Sequence, residues 1–361
     1  MEIMVNSFWK DKKVLITGDS GFKGSWLTCL LIKLQCKIYG ISLPAIQSNI
    51  LNHELNNDEQ FQSHKKSNSY QHNDLDIREK EKLKQFISDI SPDFIFHLAA
   101  QPLVLESYKN PVETWETNVI GTINLLEAIR NLNKCSVVIV TTDKVYENTN
   151  NLLGFKENDR LGGSDPYSSS KAAVELAVKS WRQSFFKENI LISTARAGNV
   201  IGGGDWSVNR IVPDVIRTLI SNGNLKIRYP YAVRPWQHVL EPLFGYVILA
   251  ETQYKNKITG SYNFGPLESQ SKTVRVLIDE IYKYWGKNCN EQLIKDKPYE
   301  ASNLTLNIDK TTTELNWKPI WDFPETVKTT INWHKKFQND ISAFSCINSD
   351  IEAYINKINH Q

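Results

Sequence analysis

Apolar and amphipathic segments alternate from the start of the chain up to about residue 195. Lys13–Thr17 is a short, β-branched run that ends at a glycine, which predicts a strand buried on both faces. Apolar side chains then recur every three or four residues from Trp26 to Leu34, as in a helix, and Cys36–Ile41 is typical of a second strand. This βαβ unit predicts a right-handed crossover and parallel pairing.

The alternation continues beyond a polar excursion at Asn49–Asn73. It predicts strands and helices at the following positions: strands at Asp93–His97, Ser136–Thr142 and Leu191–Ala195, and helices at Glu79–Ile90, Pro111–Leu132 and Tyr167–Phe186. Strands that alternate with helices are typical of an α/β fold. We therefore expect a doubly wound parallel sheet of the Rossmann type, with helices on both faces.

Glycines and prolines interrupt this pattern after about residue 196. Further helices are expected at Asp214–Ser221, Val274–Trp285 and Glu325–Lys336. The chain is accordingly divided into a sheet domain at 1–198, to which 234–265 return, a smaller α+β portion at 199–233 and 266–345, and a tail at 346–361. The C-terminal sequence is polar from Asn339 onward, so we expect a loosely held tail.

The composition is that of an ordinary globular protein. Of 361 residues, 41% are hydrophobic and 23% are charged, and 42 Lys and Arg against 40 Asp and Glu give a net charge of +2. Global disorder is excluded. The small net charge argues against nucleic acid or a membrane surface as a partner, because both attract strongly basic proteins.

The cysteines and the N-terminus predict a cytoplasmic protein. The five cysteines form no CxxC pair and no zinc-ligand spacing, so we expect reduced thiols and no metal site. The first residues lack the apolar core of a signal peptide, and no apolar run approaches the ~18 residues of a membrane span.

A glycine-rich loop follows the first strand and opens a helix. Gly18, Gly21 and Gly24 form a GxxGxxG pattern, which lets backbone N–H groups approach a pyrophosphate at the helix N-terminus; the alternative is a tight turn without a ligand. The second strand ends at Ser42 rather than at an acidic residue, so Ser42 is left to bind a ribose hydroxyl. No arginine for a 2′-phosphate lies between Ser42 and Asn49, which favours NAD over NADP.

Tyr167 and Lys171 lie four residues apart on one face of a predicted helix. A lysine ammonium near the phenol favours the phenolate and would lower the pKa of Tyr167 from ~10 toward neutral pH. The strand that ends at Thr142 lies just upstream with a hydroxyl able to share the proton. The pair is therefore a candidate general base, and the alternative is a solvated helix start.

These motifs resemble a known family. Gly18–Gly24, Asp76-Ile77, His97–Gln101, Thr117-Asn118, Thr142 and the Tyr167/Lys171 pair are together similar to extended short-chain dehydrogenase/reductases that act on nucleotide sugars, and the resemblance reaches about residue 337. It implies NAD as cofactor. The implied cofactor-binding residues are Gly18, Ser20, Gly21, Phe22, Lys23, Gly24, Ser42, Asp76, Ile77, Leu98, Ala99, Ala100, Asn118, Tyr167 and Lys171.

Four longer strings narrow the resemblance to the CDP-glucose 4,6-dehydratases. The strings are Phe22–Gly24, Gln101–Val104, Arg196–Trp206 and Arg234–Pro242. The resemblance implies a lyase that oxidises C4 of CDP-glucose, removes water across C5–C6 and returns the hydride to C6, in deoxysugar synthesis for surface polysaccharides. The implied substrate-binding residues are Gln101, Asn199, Arg210, Arg234 and His238, with Trp206 and Trp236 as candidate pocket walls; Arg196 and Arg210 have an alternative role as structural ion-pair residues.

The sequence departs from the general dehydratase pattern directly after Thr142. Related dehydratases have Asp-Glu there, and this chain has Asp143-Lys144. The resemblance assigns Thr142, Asp143, Lys144, Tyr167 and Lys171 to catalysis, with Asp143 as the acid for the C6 hydroxyl. Lys144 has two possible roles: a neutral base at C5, or a charged group that stabilises the enolate while water or Tyr167 takes the proton.

Two other functions remain open on the sequence: a 4-epimerase or a dehydratase for another nucleotide sugar, and a dinucleotide-sensing protein without turnover. The helices at Pro111–Leu132 and Tyr167–Phe186 have more apolar surface than one sheet face needs, and relatives pair such helices into a four-helix bundle. We therefore expect a homodimer. Because Ser42 stands where an acidic residue is usual, we also expect NAD to exchange rather than to remain bound.

Overall fold

The computed structural model describes residues 7–44, 50–148, 154–186, 188–294 and 304–360. Two parts of the sequence-based predictions lie outside the described residues. One is 45–49, in the segment after Ser42 that lacks an arginine, and the other is Gln361, the last residue of the expected tail.

The strands, in chain order, are β1 Lys13–Thr17, β2 Lys37–Ser42, β3 Tyr70–Asp74, β4 Phe94–His97, β5 Cys135–Val140, β6 Ile190–Ala197, β7 Val200–Ile201, β8 Asn224–Ile227, β9 Val233–Arg234, β10 Gln237–His238, β11 Ser261–Phe264, β12 Lys272–Thr273 and β13 Asn290–Leu293. The helices are α1 Phe22–Lys33, α2 Ile50–Asn57, α3 Glu59–Lys66, α4 Lys80–Ile90, α5 Val104–Lys109, α6 Pro111–Trp115, α7 Gly121–Ala128, α8 Pro166–Ser184, α9 Ile211–Ser221, α10 Leu240–Asn256, α11 Val274–Trp285, α12 Asp309–Leu315, α13 Phe323–Gln338 and α14 Ala343–Asn359. One π-helical turn, Glu116–Ile120, joins α6 to α7, and short 3-10 turns occur at Ile129–Asn131, Asp143–Val145 and Glu268–Gln270.

The central sheet is parallel and has seven strands in the order β11-β6-β5-β4-β1-β2-β3. Strand order reverses beside β1, so a crevice opens at the carboxyl ends of β1 and β4, where doubly wound folds bind ligands. The predicted α/β fold with a doubly wound parallel sheet is confirmed.

Two apolar layers cover the sheet because successive side chains of each strand point to opposite faces. Val138 and Val140 of β5 pack into one layer with α1, α10 and α14, and Val137 and Ile139 pack into the other with α4, α7 and α8. A third apolar cluster joins α9, α11 and α13 to β8 and forms the smaller portion of the molecule. The site described below lies between this portion and the sheet.

The C-terminal segment corrects the sequence-based expectation of a loosely held tail. Residues 343–359 form α14, which packs against α1 and α13. Its polar composition hides an apolar stripe, because Ile347, Ile351, Tyr354 and Ile358 recur every three or four residues and are buried. Tyr354 also donates a hydrogen bond to the buried carboxylate of Glu241 at 2.6 Å. Burial of this stripe fixes the segment to the sheet domain.

The polar excursion at 49–73 also has regular structure where it is described, namely α2, α3 and the edge strand β3. Among the described residues, no helix combines the length and the apolar character that crossing a membrane requires. In the same ranges, His, Cys, Asp and Glu side chains do not gather in threes that could hold a metal ion.

Candidate active site

A cavity of about 910 Å³ opens at the carboxyl ends of the parallel strands. Its walls come from the loops after β1, β2, β4, β5 and β6 and from the segment before α9. Most residues singled out from the sequence line it: Gly18, Ser20, Gly21, Phe22, Lys23, Gly24, Ser42, Asp76, Ile77, Leu98, Ala99, Ala100, Thr142, Asp143, Lys144, Tyr167, Lys171, Asn199, Arg210 and Arg234. The structure therefore brings the residues predicted to bind the cofactor and most of those predicted to bind the substrate into one continuous cavity.

The glycine loop between β1 and α1 needs glycine for two geometric reasons. Gly18 has φ +77°, and a Cβ there would lie 2.8 Å from the backbone nitrogen of Ala99. A Cβ on Gly24 would lie 2.0 Å from the Gly18 carbonyl oxygen. The loop therefore folds tightly onto the end of β4 and leaves the N-terminus of α1 facing the cavity, as a diphosphate site requires.

A polar cluster supports this loop from below, and the sequence reasoning missed it. Asp19 is buried, and its Oδ2 accepts hydrogen bonds from the Tyr70 hydroxyl at 2.7 Å and from the His72 ring at 2.8 Å. The hydrogen bond to Asp19 raises the pKa of His72 against the effect of burial, and Asp74 adds to the rise. The sequence signal that could have revealed this cluster is the spacing of Tyr70, His72 and Asp74. Residues two apart on a strand point to the same face, so these three side chains share one face of β3.

Ser42, at the end of β2, and Asp76 and Ile77, after β3, line another part of the cavity wall. The Ser42 hydroxyl donates to the Leu43 carbonyl oxygen at 3.0 Å. Asp76 accepts hydrogen bonds at 2.8 Å from the Arg78 side chain and from its backbone. Burial raises the pKa of Asp76, but these contacts with Arg78 outweigh it and lower the pKa overall. Asp76 therefore presents a fixed carboxylate at this wall.

His97 has a structural role at the end of β4. Its ring lies between two hydroxyls, 2.7 Å from Thr17 Oγ1 and 2.9 Å from Thr122 Oγ1. Burial lowers the pKa of His97 to about 3, so the ring is neutral at physiological pH. His97 thus holds the end of β4 in place.

Gln101 and Asn118 are not among the residues that line the cavity, so their assignment as substrate- and cofactor-binding residues stays a prediction. Asn118 accepts a hydrogen bond from the Gln101 backbone at 2.8 Å and donates to the Ser170 hydroxyl at 2.9 Å. The Gln101 side chain donates to Thr114 Oγ1 at 2.9 Å. Both amides are engaged in fixing the loop after Ala100 against the π-helical turn and α8, so they position the cavity wall.

Tyr167 and Lys171 lie in the first turns of α8, which begins at the cap residue Asp165. Tyr167 hydrogen bonds with Thr142, and Lys171 Nζ donates to the Val140 carbonyl oxygen at 3.2 Å. Burial raises the pKa of Tyr167 to about 12 despite the bond with Thr142, so the expected lowering by Lys171 is wrong for the unliganded protein. Burial also lowers the pKa of Lys171 to about 8. Desolvation of the Tyr167 phenol outweighs the Thr142 hydrogen bond and the Arg210 charge, which both favour the phenolate.

Asp143 and Lys144 follow Thr142 in a 3-10 turn. Asp143 Oδ1 accepts from the Thr142 hydroxyl at 3.0 Å and from Lys144 Nζ at 3.3 Å. The other oxygen, Oδ2, is buried and has no hydrogen-bond partner among the described residues. Asp143 therefore sits beside the Tyr167–Thr142 pair with one oxygen still available.

The wall opposite the sheet contains Asn199, Arg210 and Arg234. Arg234 is buried and donates to the Val233 carbonyl oxygen at 2.9 Å, and Arg210 pairs with Asp205 at 3.1 Å. Planar guanidinium groups bind phosphate oxygens well, so this wall fits a second anionic ligand. Trp206 and Trp236 also line the cavity.

His238 and Arg196 lie away from the cavity. His238 is fully buried between the rings of Trp26 and Trp321, with centroids 5.5 Å and 4.8 Å away, and burial lowers its pKa to about 3. Aromatic packing takes the ring into the core, so the structure gives no support to the assignment of His238 as a substrate-binding residue, which stays a prediction. Arg196 forms a buried ion pair with Glu175 at 2.7 Å and is structural.

Comparisons with known proteins agree with this geometry. The sequence model of the GDP-mannose 4,6 dehydratase family matches residues 15–330. The chain is 38% identical over 359 residues to the CDP-glucose 4,6-dehydratase of Salmonella typhimurium, across 97% of this chain and 98% of the relative.

Solved structures share the fold. UDP-glucuronic acid 4-epimerase from Bacillus cereus, in complex with UDP-glucuronic acid and NAD, has a TM-score of 0.78 at 24% identity, covering 90% of this chain and 99% of that one. dTDP-glucose 4,6-dehydratase from Bacillus anthracis, in complex with NAD, has a TM-score of 0.75 at 23% identity, covering 91% and 98%. At these identities the likeness establishes the doubly wound architecture.

Proposed function

The chain belongs to the GDP-mannose 4,6 dehydratase family, and from that premise we propose that it is a lyase that converts CDP-glucose to CDP-4-keto-6-deoxyglucose with NAD as cofactor. The nucleotide-sugar family expected from the motifs is confirmed. The choice of cytidine rests on the 38% identity to the Salmonella typhimurium enzyme. The product class is a precursor of the deoxysugars used in surface polysaccharides.

One observation carries the proposal: an acid lies beside the dehydrogenase-type pair. Thr142 hydrogen bonds both Tyr167 and Asp143, so one hydroxyl connects the group that acts at O4 to a carboxyl group. Oxidation at C4 alone needs only Tyr167, Thr142 and Lys171. A carboxyl group at this place supplies what elimination needs in addition, namely a proton for the departing C6 hydroxyl.

The residues around the glycine loop fit NAD. The close approach of Gly18 and Gly24 lets backbone N–H groups reach a diphosphate, and Asp76 and Ile77 line the cavity at the adenosine end. When bound, NAD⁺ accepts the hydride from C4 of the sugar and supplies it to C6. Burial disfavours the Tyr167 phenolate, and a cationic nicotinamide ring held in the cavity that Tyr167 lines would favour it.

The chain's own residues then divide the chemistry. Tyr167 removes the proton from the C4 hydroxyl, while Thr142 shares the hydrogen bond and Lys171 stabilises the phenolate. The C4 ketone acidifies the C5–H bond. The proton that Tyr167 took from O4 passes through the Thr142 hydroxyl to Asp143, which delivers it to the C6 hydroxyl as water leaves. Lys144 pairs with Asp143 Oδ1, which supports its role as a charged group that stabilises the enolate.

Arg234, Arg210 and Asn199 bind the substrate diphosphate and sugar in this proposal. The support is their position on the wall opposite the glycine loop, together with the planar donor geometry of arginine. The affinity for NAD is a separate expectation. Ser42 at the end of β2 gives weaker ribose binding than an acidic residue would. We therefore expect purified protein to contain less than stoichiometric NAD. Stoichiometric NAD after gel filtration would contradict this expectation.

We also propose a homodimer in the cytoplasm. Exposed apolar side chains occur along α6, the π-helical turn and α8, including Val112, Trp115, Ile120 and Leu176. These helices lie side by side and form a face suited to a second copy in a four-helix bundle. Leu176→Glu should shift the mass measured by light scattering to that of a monomer, whereas Leu293→Glu, at an exposed site on β13, should not. A monomeric wild type contradicts the dimer.

The activity is tested by incubating the protein with NAD⁺ and CDP-glucose and identifying the product by mass spectrometry and its alkaline ultraviolet absorbance. The expected product is CDP-4-keto-6-deoxyglucose, with slower turnover of dTDP-, UDP- and GDP-glucose. No turnover of any of the four sugars contradicts the proposal, and preference for another nucleotide corrects its substrate.

A further inference from the structure

A stripe of polar side chains follows one face of α8 from the cavity into the core. Tyr167, Lys171 and Glu175 occur at four-residue spacing, and the next residue on this face, Val178, belongs to the apolar layer over the sheet. The proposed chemistry uses Tyr167 and Lys171 but gives Glu175 no role. Glu175 is only 3% exposed, and carboxylates are rarely buried to this extent unless other groups hold them.

The sheet beneath α8 changes from apolar to polar at the level of Glu175. Ile139 of β5 and Ile192 of β6 belong to the apolar layer that α8 covers. Alternate residues of a strand face the same side, so Thr141 and Thr194 are the next residues on that side, followed on β6 by Arg196. All three polar side chains are buried. The helix and the two strands therefore become polar together, next to the cavity.

The carboxylate of Glu175 joins the strands to the helix. Its Oε1 accepts a hydrogen bond from the Thr141 hydroxyl at 2.6 Å. Its Oε2 accepts hydrogen bonds from three side chains: Thr194 Oγ1 at 2.8 Å, Arg196 Nη2 at 2.7 Å and, on β11, Ser261 Oγ at 3.1 Å. Burial raises the pKa of Glu175, but the ion pair and the hydrogen bonds lower it overall, so the carboxylate is ionised at neutral pH.

The bond to Thr141 lies between two contacts of the proton-transfer pair. Three consecutive residues at the end of β5 each hydrogen bond with one residue of the α8 stripe: Val140 with Lys171 at 3.2 Å, Thr141 with Glu175 at 2.6 Å, and Thr142 with Tyr167. The acceptor of the Thr141 bond is ionised, which strengthens it relative to a bond between neutral groups. This bond therefore fixes the end of β5 against α8, and with it the approach of Thr142 to Tyr167.

The alternative is an ion pair that only stabilises the fold. Arg196 closes the far side of the cluster, because its Nη1 donates to the Tyr146 hydroxyl at 2.8 Å and to the Glu157 carbonyl oxygen at 2.9 Å. A buried ion pair is weak support for stability, however, since the cost of removing two charges from water offsets much of their attraction. The bond from Glu175 to Thr141 is the part of the cluster that reaches the reacting groups.

We propose that Glu175 is a positioning residue for oxidation at C4; this role rests on the proposed dehydratase function. By holding Thr141, Glu175 keeps the adjacent Thr142 hydroxyl in place beside Tyr167 while the C4 hydroxyl loses its proton. Glu175 itself neither touches the sugar nor takes a proton. A misplacement of about 1 Å can slow a reaction between positioned groups by about 100-fold, so a contact behind the reacting groups has a measurable effect on the rate.

The test removes one hydroxyl from each oxygen of Glu175. Thr141→Val removes the donor to Oε1, and Thr194→Val, the matched control, removes a donor to Oε2 on the neighbouring strand. Stopped-flow formation of reduced nicotinamide from NAD⁺ and CDP-glucose reports C4 oxidation, with KM and the melting temperature measured in parallel. We expect Thr141→Val to slow oxidation by about 10- to 100-fold, with KM within about threefold of wild type. Thr194→Val should lower the melting temperature but change the oxidation rate by less than about threefold.

Two further variants separate positioning from a local disturbance at Thr141. Thr141→Ser restores the hydroxyl, so its oxidation rate should be within about threefold of wild type. The paired replacement Glu175→Leu with Arg196→Met removes the carboxylate and its countercharge together, which avoids an unpaired buried charge. It should slow oxidation as Thr141→Val does, and adding Thr141→Val to it should slow oxidation by less than about threefold more, because the bond is already absent.

The outcomes separate this role from the proposed function. If Thr141→Val and Thr194→Val oxidise the sugar at equal rates, or if the loss from Thr141→Val is unchanged in the paired replacement, Glu175 is only structural and the dehydratase function stands. Should the paired replacement not fold, the Thr141 and Thr194 variants decide alone. A wild type that forms no reduced nicotinamide with CDP-, dTDP-, UDP- or GDP-glucose refutes both the role and the function.

Discussion

The charged side chains at the two ends of the cavity differ in their partners. Near the glycine loop, carboxylates have internal partners, since Asp19 is held by Tyr70 and His72, and Asp76 by Arg78. At the reaction centre, by contrast, cations outnumber carboxylates and several titratable groups are perturbed by burial.

This difference separates binding from chemistry. In the proposed function, the loop end binds an anion through fixed backbone N–H groups and a helix N-terminus, so its geometry matters more than the protonation of any side chain. The reaction centre contains groups whose pKa values are shifted by burial, upward for Tyr167 and downward for Lys171. Changes at the reaction centre should therefore affect turnover strongly, and changes at the loop end should affect affinity and stability.

Tyr167→Phe should cause the largest loss. It removes the phenol that takes the O4 proton, so product formation should fall by about 10³-fold or more, with an unchanged melting temperature. Stopped-flow measurement of reduced nicotinamide isolates this step. Tyr231→Phe removes an exposed phenol and serves as the matched control. Substantial activity in Tyr167→Phe would exclude this residue as the base, whereas complete loss also excludes a protein that only senses dinucleotides.

Asp143→Asn should act after oxidation. It preserves shape but removes the proton donor, so dehydration should fall by about 10²-fold while reduced nicotinamide still forms. The matched control is Asp340→Asn, at an exposed site. A 4-epimerase needs no acid at C6, so nearly intact sugar turnover in Asp143→Asn would favour an epimerase over the dehydratase.

Arg234→Met should weaken substrate binding more than it slows chemistry. Loss of charge-assisted hydrogen bonds to a diphosphate costs about 1.5–3 kcal/mol, which corresponds to a KM higher by about 10- to 100-fold. Arg160→Met, at an exposed ion pair with Glu147, is the control. An unchanged KM for the nucleotide sugar would show that Arg234 is structural.

His72→Gln should have the smallest effect, because it touches only the support of the glycine loop. Asp19 raises the pKa of His72, so this contact contributes stability that is complete below the unfolded pKa of ~6.5 and is lost as pH rises through the higher folded value. The substitution should lower the unfolding free energy by about 1 kcal/mol at pH ~6 and by less at pH ~9. Urea unfolding measures this, with exposed His53→Gln as control. An equal loss at both pH values would contradict the pair.

The same division shows why some features were predictable from the sequence and others were not. The βα units through β6 and the glycine loop follow from local spacing, and local spacing also placed Tyr167 and Lys171 on one helix face. Helix α10 has almost no polar face, since its residues are buried nearly all round, so it gave no helical periodicity. The apolar stripe of α14 was present but was obscured by its polar neighbours.

The direction in which side chains point was the main feature of the site that the sequence could not predict. Sequence spacing put His238 beside the predicted substrate residues, but the packing of Trp26 and Trp321 draws its ring into the core. Lys23 belonged by position to the cofactor loop, and only the folded chain shows that it lines the same cavity as Asp143 and Arg210. The balance between burial and charge on Tyr167 likewise depends on three-dimensional surroundings.

The central claim is an internal transfer of hydride from C4 to C6 followed by release of a dehydrated sugar. The direct test is to supply CDP-glucose deuterated at C4, with NAD⁺ and no other reductant, and to locate the label by NMR. The predicted product is CDP-4-keto-6-deoxyglucose with the deuterium on C6. Deuterium retained at C4 in an epimerised sugar, or a labelled sugar returned unchanged, would contradict the proposed dehydratase.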